Sequence, residues 1–160
     1  MTVKELRTKE DFCTFYKVPG EIYKSNIFYR ASENDITRLL VEGHSAFHKH
    51  ASVHSFLIFQ QDDVVGRFTL INDQKLPGYV QVSFFEAQPG LTGMAELIAE
   101  KARSRFPDCK RIIVGLNGHL NYGAGILTSN FQEAPVFGLP YNCEYYQDYF
   151  RAFRKIQLVS

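Results

Sequence analysis

Four histidines lie close together in the first half of the chain, and histidine is the commonest metal ligand in proteins. They fall within eleven residues, at His44, His48, His50 and His54. His44 and His48 are four residues apart, so on a helix they would share a face, as the paired ligands of a zinc site do. A zinc site also needs a third ligand and supporting partners. Glu42 is the only carboxylate nearby and no H-E-x-x-H pattern occurs. We therefore expect a solvated, mildly basic face with Lys49 and no metal site.

A polar, glycine-spaced segment at 117–123 follows a short apolar run and contains His119. Open α/β sheets hold their ligands in loops just past the ends of central strands. His119 could act there as a general acid or base, because imidazole titrates near neutral pH. The alternative is an ordered crossover whose glycines supply positive φ angles. The residues alone leave both interpretations open.

The overall composition is that of an ordinary folded domain. The chain has 160 residues, with 18 Lys and Arg against 17 Asp and Glu, a net charge of +1. This balance argues against a nucleic-acid binder, because phosphate recognition needs clustered excess cations. No apolar run approaches the roughly 18 residues of a membrane-spanning helix, and residues 1–10 do not form a secretory signal. We expect a single domain, 1–160, in the cytoplasm, with no membrane partner.

The three cysteines are odd in number and far apart, at Cys13, Cys109 and Cys143. Because there is no C-x-x-C pair, zinc-ribbon and thioredoxin motifs are excluded. We expect reduced thiols. Cys13 and Cys109 lie in helical or helix-end patterns, where burial is the expected state.

Aromatic residues are unusually frequent, with 14 Phe, 9 Tyr and no Trp. They concentrate in the first predicted helix, the hairpin strands, the Phe84-Phe85 strand end and the block 141–153. We expect most of them to form the core. The hydroxyl groups of Tyr145, Tyr146 and Tyr149 are the expected exceptions, because a buried phenol needs a hydrogen-bond partner.

Apolar residues at helical spacing, together with capping and stop residues, predict four helices. Their signals are a capping box at Thr8 and Asp11, a start near Ser32, a cap at Thr92 and a last helix over 145–153. Pro19 with Gly20 is expected to end the first helix, since proline lacks the N–H that a helix interior needs. The second helix is expected to carry Phe47 on its apolar side.

The predicted strands cover 55–59, 64–71, 79–86 and 111–116. Strict alternation in the third of these places Phe84 on the face of Val82, and Phe85 on the other. The full order is strand, helix, helix, three antiparallel strands, helix, strand, loop and helix. This order predicts a mixed α/β domain with helices on both faces of a mostly antiparallel sheet.

This order and several short segments resemble the GNAT acyltransferase superfamily. The chain is most similar to the first half of a family of uncharacterised GNAT-like proteins built from two halves, over roughly residues 10–150. The segments that carry the resemblance are Phe47-His48-Lys49-His50, Phe56-Leu57-Ile58-Phe59, Val64-Val65-Gly66-Arg67, Phe84-Phe85-Glu86, 115–127, Pro140-Tyr141-Asn142 and Tyr145-Tyr146. The resemblance implies a GNAT-like fold, with a second GNAT-like domain or a homodimer as the macromolecular partner.

The resemblance also implies a binding loop for the pyrophosphate of acetyl-CoA or another acyl-CoA. Superfamily members hold that group on backbone amides at a helix N-terminus. Gln88 and Gly93 stand where the superfamily pattern has its first and last residues, and Gly90 is the further candidate. Leu91 replaces the middle glycine, and Pro89 supplies no amide. A plain helix start with turn residues is the alternative interpretation.

Two further roles follow from the resemblance, those of Tyr149 and Glu86, and two more from the residues themselves, those of His119 and Arg67. The superfamily's acid for the leaving thiolate is a tyrosine seven residues after a helix-initiating asparagine, which is the spacing of Asn142 and Tyr149. Glu86 stands where some members keep a general base, with His119 as a further acid or base. Arg67 is expected to pair with a carboxylate.

Two functions remain open from the sequence. One is an acyl-CoA-dependent N-acyltransferase acting on a small amine or amino-acid-like acceptor. The other is a degenerate GNAT-like domain that binds a second GNAT-like half without catalysis. The altered loop favours the second function, and the spacing of Asn142 and Tyr149 favours the first.

Overall fold

The computed structural model describes residues 1–29, 35–135 and 140–154, apart from the side chain of Asp35. The predicted helix start near Ser32 lies outside these residues. The described chain forms one five-stranded sheet in the order β1-β2-β3-β4-β5. All neighbouring strands are antiparallel except β4 and β5, which run parallel. The strands are β1 (Thr2–Glu5), β2 (Ala51–Gln60), β3 (Asp63–Asp73), β4 (Tyr79–Ala87) and β5 (Arg111–Val114).

Helices cover both faces of this sheet, which confirms the predicted fold class and element order. They are α1 (Lys9–Ile22), α2 (Asp35–Val41), α3 (Met94–Arg105) and α4 (Tyr146–Tyr149), with 3-10 turns at Ala46–Lys49 and Leu120–Tyr122. α1 packs on one face, where Phe15 contacts Leu57 in a buried cluster. α3 and α4 lie on the other face, where Ile98 and Tyr146 enter a larger core. None of the helices described is long and apolar enough to cross a membrane.

Three helix boundaries differ from the predictions. α2 ends at Val41, and Phe47 lies in a separate 3-10 turn capped by Ser45. Gly43 stands between them with a φ of +81°, a left-handed conformation that ends a helix. The N-cap of α3 is Gly93 and not Thr92. The predicted helix over 145–153 is a single turn.

The start of α1 is the predicted capping box. Thr8 Oγ1 accepts a hydrogen bond from Asp11 N at 3.2 Å, and the Asp11 carboxylate accepts one from Thr8 N at 3.0 Å. The same carboxylate also accepts from Lys4 Nζ at 2.5 Å and from Arg7 N at 3.0 Å. The bond from Lys4 and the two main-chain donors hold the pKa of Asp11 well below its ordinary value.

We expect Asp11→Asn to lower the free energy of unfolding by about 1.5–3 kcal/mol at neutral pH, because the amide loses the charge that Lys4 Nζ and two main-chain N–H groups bond. Because the folded-state pKa of Asp11 is depressed, its stabilisation is present above the unfolded-state pKa and is lost as the pH falls. The difference between variant and wild type should therefore shrink in acid. Urea unfolding at neutral and acidic pH checks this, and an equal difference at both would contradict it.

The prediction that Pro19 ends α1 is wrong, because the helix continues to Ile22 with the proline inside it. A proline leaves the carbonyl four residues earlier without its helical donor, and here that carbonyl belongs to Phe15. Arg67 on β3 supplies the missing bond, donating from Nη1 to the Phe15 oxygen at 2.9 Å. The sheet thus satisfies the backbone group that the proline leaves unpaired.

β4 contains a bulge that corrects the predicted alternation. Its register with β3 shifts between Arg67 and Thr69, and Phe84 has a φ of +50°. The prediction placed Phe84 on the face of Val82. In the structure Phe84 packs instead with the α1 cluster, and Phe85 joins the core of Val82. The extra residue therefore re-aims every β4 side chain that follows it.

The cysteines are free thiols, as expected. The predicted burial of Cys13 is wrong, because this side chain is on the solvent side of α1. Cys109 is partly buried, and its Sγ donates to the Arg111 carbonyl at 3.3 Å.

Candidate functional site

The candidate site lies where β4 and β5 separate. β5 pairs with β4 only over the β4 residues Tyr79 to Val82, whereas β4 continues to Ala87. A strand edge without a neighbour presents N–H and C=O groups that must find other partners when they are buried. The partners of this free β4 edge determine what can bind there.

The loop after β5 bonds Phe84 N on the free edge, and it bonds the side chain of Gln81 where β4 still pairs with β5. The carboxamide of Gln81 accepts from Gly118 N at 2.8 Å and donates to Gly118 O at 3.4 Å. Asn117 Oδ1 accepts from Phe84 N, at the bulge, at 3.0 Å. These bonds make 117–123 an ordered crossover that is anchored to β4 by its own side chains and backbone.

Two tyrosines of the α4 region take up the end of β4. Ala87 N donates to the Tyr146 hydroxyl at 2.9 Å, and the Tyr145 hydroxyl donates to Ala87 O at 2.8 Å. Tyr146 is only 2% exposed, and its ring packs against Phe85 with centroids 5.0 Å apart. Both main-chain groups of Ala87 are therefore occupied by phenols.

Tyr149 continues the same arrangement onto the loop that follows β4. Its hydroxyl donates to Gln88 O and accepts from Leu91 N at 3.3 Å. The hydroxyls of Tyr145, Tyr146 and Tyr149 thus bond four main-chain groups at the end of β4, and together we name them the tyrosine cap. The predicted site residues Tyr149 and Gln88 are therefore adjacent, but they bond directly to each other.

The loop 88–93 fits a pyrophosphate only in part. Gly93 is the N-cap of the twelve-residue α3 with a φ of +73° and no side-chain cap, an arrangement that leaves first-turn amides open to an anion. Gly90 also has a positive φ, +79°. However, Pro89 has no amide, the Leu91 amide is held by the tyrosine cap, and the Leu91 side chain is in the core.

The arm of an acyl-CoA does not fit the site as it stands. An extended ligand that lies beside β4 would hydrogen-bond to the strand's free edge, as an added strand does. At Ala87 that edge is already bonded by the tyrosine cap, whose rings fill the adjoining space. No reaction step through acyl-CoA therefore follows from this geometry.

Glu86 lies on the other face of β4, opposite Arg67 in the ladder. Its Oε2 accepts from the Tyr23 hydroxyl at 2.7 Å and from the Tyr146 hydroxyl at 2.6 Å. Burial raises the pKa of Glu86, against the lowering effect of Arg67 and the two phenols. Burial, and then the charge of Glu86, raise the pKa of Tyr23 and Tyr146, so both remain protonated donors. Tyr23 carried no sequence signal.

Arg67 is the cation of this cluster and is 7% exposed. The expected ion pair with a carboxylate is not seen among the described residues: Nη1 donates to the Phe15 carbonyl, and the guanidinium lies 4.6 Å from the Phe15 ring centroid. Its Nε is buried without a hydrogen-bond partner among the described residues. Glu86 nevertheless raises the pKa of Arg67 against the larger lowering by burial. The two side chains therefore compensate each other's charge inside the fold.

Two predicted site residues lie elsewhere. Asn142 does not begin α4, whose N-cap is Tyr145. Its buried carboxamide instead bridges the chain at Leu127, accepting from Leu127 N at 2.6 Å. His119 is exposed and caps a 3-10 turn by accepting from Asn121 N at 3.2 Å. No contact between described residues joins His119 to Glu86 or Asn142.

The clustered histidines bond to separate partners. His48 Nε2 lies 2.8 Å from Leu40 O, His50 Nδ1 lies 2.8 Å from Asp73 Oδ1, and His54 Nδ1 lies 2.6 Å from Glu5 Oε1. Over 1–29, 35–135 and 140–154, no three His, Cys, Asp or Glu side chains form a group that could hold a metal ion.

No family model and no curated protein matches this chain, but solved structures do. An aminoglycoside acetyltransferase from an uncultured soil metagenomic sample aligns with a TM-score of 0.54 and 10% identity, over 99% of this chain and 92% of that one. A putative acetyl transferase from Pyrococcus furiosus aligns with a TM-score of 0.50 and 10% identity, over 99% and 97%.

Longer proteins also align. A tandem GNAT protein from the clavulanic acid biosynthesis pathway gives a TM-score of 0.56 at 14% identity, and the alignment covers 94% of this chain but 42% of that protein. The chain likewise spans 59% of a putative GNAT acetyltransferase from Bacteroides thetaiotaomicron, at a TM-score of 0.44 and 17% identity. The alignments with TM-scores of 0.50 to 0.56 show the fold: the chain has the fold of GNAT acyltransferases.

Proposed function

We propose that this chain is a non-catalytic GNAT-fold domain that serves as a binding half for a second GNAT-like domain. The observation that carries the proposal is the tyrosine cap. Its hydroxyls bond both main-chain groups of Ala87, together with Gln88 O and Leu91 N. These are the edge groups that an extended acyl-CoA arm and its phosphates would have to share.

The free energy of the hydrogen bonds and of ring burial favours the arrangement in which the tyrosine cap stays bonded to the end of β4. Each of the four hydrogen bonds contributes about 0.5–1.5 kcal/mol net. Moving Tyr146 and Tyr149, which are 2% and 9% exposed, out of the core costs about 1.5–3 kcal/mol for each ring. The sum, about 5–12 kcal/mol, equals or exceeds the roughly 4–8 kcal/mol that a millimolar to micromolar ligand provides. Opening the site would consume most of the free energy that acyl-CoA binding could supply.

A second GNAT-like half is the partner that the comparisons favour. This chain aligns with less than half of the tandem GNAT protein. A domain of this size can therefore be one of two GNAT-like domains in a single protein or complex. Glu86 and Arg67 then act structurally, because the carboxylate is held by Tyr23 and Tyr146 and the guanidinium by the Phe15 carbonyl.

An acyl-CoA-dependent N-acyltransferase with a small amine or amino-acid-like acceptor is the second candidate function. Two observations favour it. Burial raises the pKa of Glu86, as suits a general base, and the N-terminus of α3 at Gly93 has no side-chain cap. Under this alternative, the tyrosine cap must leave the β4 edge before acetyl-CoA or another acyl-CoA enters.

Calorimetric titration with acetyl-CoA separates the two functions. We expect no binding up to millimolar ligand, for the wild type and for Tyr149→Phe, because Pro89 and the buried Leu91 remain in the variant. Saturable binding by the wild type would overturn the proposal. Binding that tightens in Tyr149→Phe would favour the acyltransferase and show that the tyrosine cap restrains it.

A further inference from the structure

β5 forms one edge of the described sheet. Arg111 N donates to Gly78 O, and Gly115 N donates to Val82 O, so every second residue of β5 turns its main-chain groups toward β4. In a parallel ladder the residues between them turn theirs the other way. The N–H and C=O groups of Ile112 and Val114 therefore face outward, and no strand pairs with them within 1–29, 35–135 and 140–154.

A cleft of about 380 Å³ opens between this strand and α3. Its apolar wall includes Ala99, Ile112 and Phe153, and the two larger side chains are only half-buried against the core. The cleft runs along α3 from Ala95 and Glu96, in the first turn after Gly93, to Arg103, about 12 Å further along the helix axis.

The charge around the cleft is positive. Arg103, Lys110 and Arg111 line it, against a single carboxylate from Glu96. Arg111 Nη1 donates to the Tyr79 hydroxyl at 2.6 Å. Arg103 and Lys110 are exposed and form no side-chain hydrogen bond or ion pair with any described residue. Like charges would oppose the same edge of a second copy, because Lys and Arg on an edge strand discourage self-pairing.

We propose that the β5 edge and this cleft bind an extended acidic segment of the partner. This proposal rests on the proposed function and names the surface through which the pairing occurs. The segment adds a sixth strand beside β5, bonding the outward groups of Ile112 and Val114. Its apolar side chains enter the cleft beside Phe153, and its carboxylates lie against Arg103 and Lys110.

The test is NMR of the full chain with a capped peptide of sequence Val-Thr-Glu-Thr-Val-Thr-Glu-Thr, in which valine and glutamate lie on the same face of the strand. We expect the Ile112 and Val114 amides to shift and to become protected from hydrogen exchange. Arg103→Glu with Lys110→Glu should weaken binding by about tenfold or more, whereas Lys24→Glu, a charge reversal at an exposed turn, should leave it unchanged. A peptide with lysine in place of glutamate should not bind.

Three results would overturn the inference. They are no binding of the acidic peptide, shifts at sites away from β5, and equal affinity in the double variant and in Lys24→Glu. The acetyl-CoA titration has a different ligand, and peptide binding is read at the Ile112 and Val114 amides on β5, so the two failures are distinguishable. If acetyl-CoA binds and the peptide also binds at β5, the proposed function falls and the docking surface remains.

Discussion

Replacing Arg67 with methionine should lower the free energy of unfolding by about 3–5 kcal/mol, because it removes both the cation that faces a buried carboxyl and the donor to a buried carbonyl. The variant leaves Glu86 without its compensating cation and the Phe15 carbonyl without the donor that replaces the Pro19 N–H. Methionine keeps much of the apolar bulk, so the loss reports on charge and hydrogen bonding. Urea unfolding of the two proteins measures it.

The pH dependence of this loss follows from Glu86. Arg67 lowers the pKa of that carboxyl, so its removal raises the folded-state pKa further above the unfolded value. A carboxyl with a raised folded-state pKa makes stability fall as the pH rises from the unfolded-state pKa to the folded-state pKa. The deficit of Arg67→Met should thus be larger at mildly alkaline than at mildly acidic pH.

Two control variants make the Arg67 result interpretable. Arg67→Lys keeps the positive charge but lacks the several N–H donors of the guanidinium. Its loss of unfolding free energy should therefore be smaller than that of Arg67→Met. Arg67→Met combined with Glu86→Gln removes both charges, and it should be more stable than Arg67→Met alone. A loss under about 1 kcal/mol, the size of an exposed ion pair, or strictly additive effects in the double variant, would refute the compensation of Arg67 by Glu86.

Tyr146→Phe should cost about 2 kcal/mol of unfolding free energy, because the lost hydroxyl donates to a buried carboxylate and accepts from a buried amide. The atoms concerned are Glu86 Oε2 at 2.6 Å and Ala87 N at 2.9 Å. The Ala87 amide should also exchange faster with solvent. Denaturant unfolding and hydrogen exchange measure the two effects.

Tyr145→Phe is the matched control for Tyr146→Phe. Its hydroxyl donates to Ala87 O and its other partner is the Cys143 thiol in place of a carboxylate, and the residue is only partly buried. Its removal should cost about 1 kcal/mol or less. Equal losses in the two variants would mean that the bond to Glu86 contributes nothing to stability.

Much of the fold could be predicted because local signals agree with it. The capping box at Thr8 and Asp11 and the period of α3 depend on neighbours in the chain. The continuation of α1 through Pro19 could not be predicted, since the bond that permits it comes from Arg67, 52 residues from its acceptor Phe15. The bulge at Phe84 likewise depends on the register with another strand.

The candidate site was only partly visible in the sequence. The altered residues Pro89 and Leu91 indicated a weak pyrophosphate loop, and in the structure the Leu91 amide bonds Tyr149 while the Leu91 side chain lies in the core. The sequence pointed to Tyr149 only as a candidate catalytic acid, and it did not predict that this side chain bonds the loop after β4. The hydrogen bonds of the tyrosine cap join residues 58–61 positions apart, so no motif spacing could have shown that a phenol stands where a ligand would bind.

The most direct test of the closed β4 edge is residue-resolved NMR of the wild-type chain with acetyl-CoA added. The closed arrangement predicts that the amides of Ala87, Leu91 and Gly93 keep their chemical shifts up to millimolar ligand. Slow exchange of the Ala87 amide should persist throughout, because the Tyr146 hydroxyl still accepts its bond. Saturating shifts at these three amides, with faster exchange at Ala87, would contradict the account and establish an acyl-CoA site.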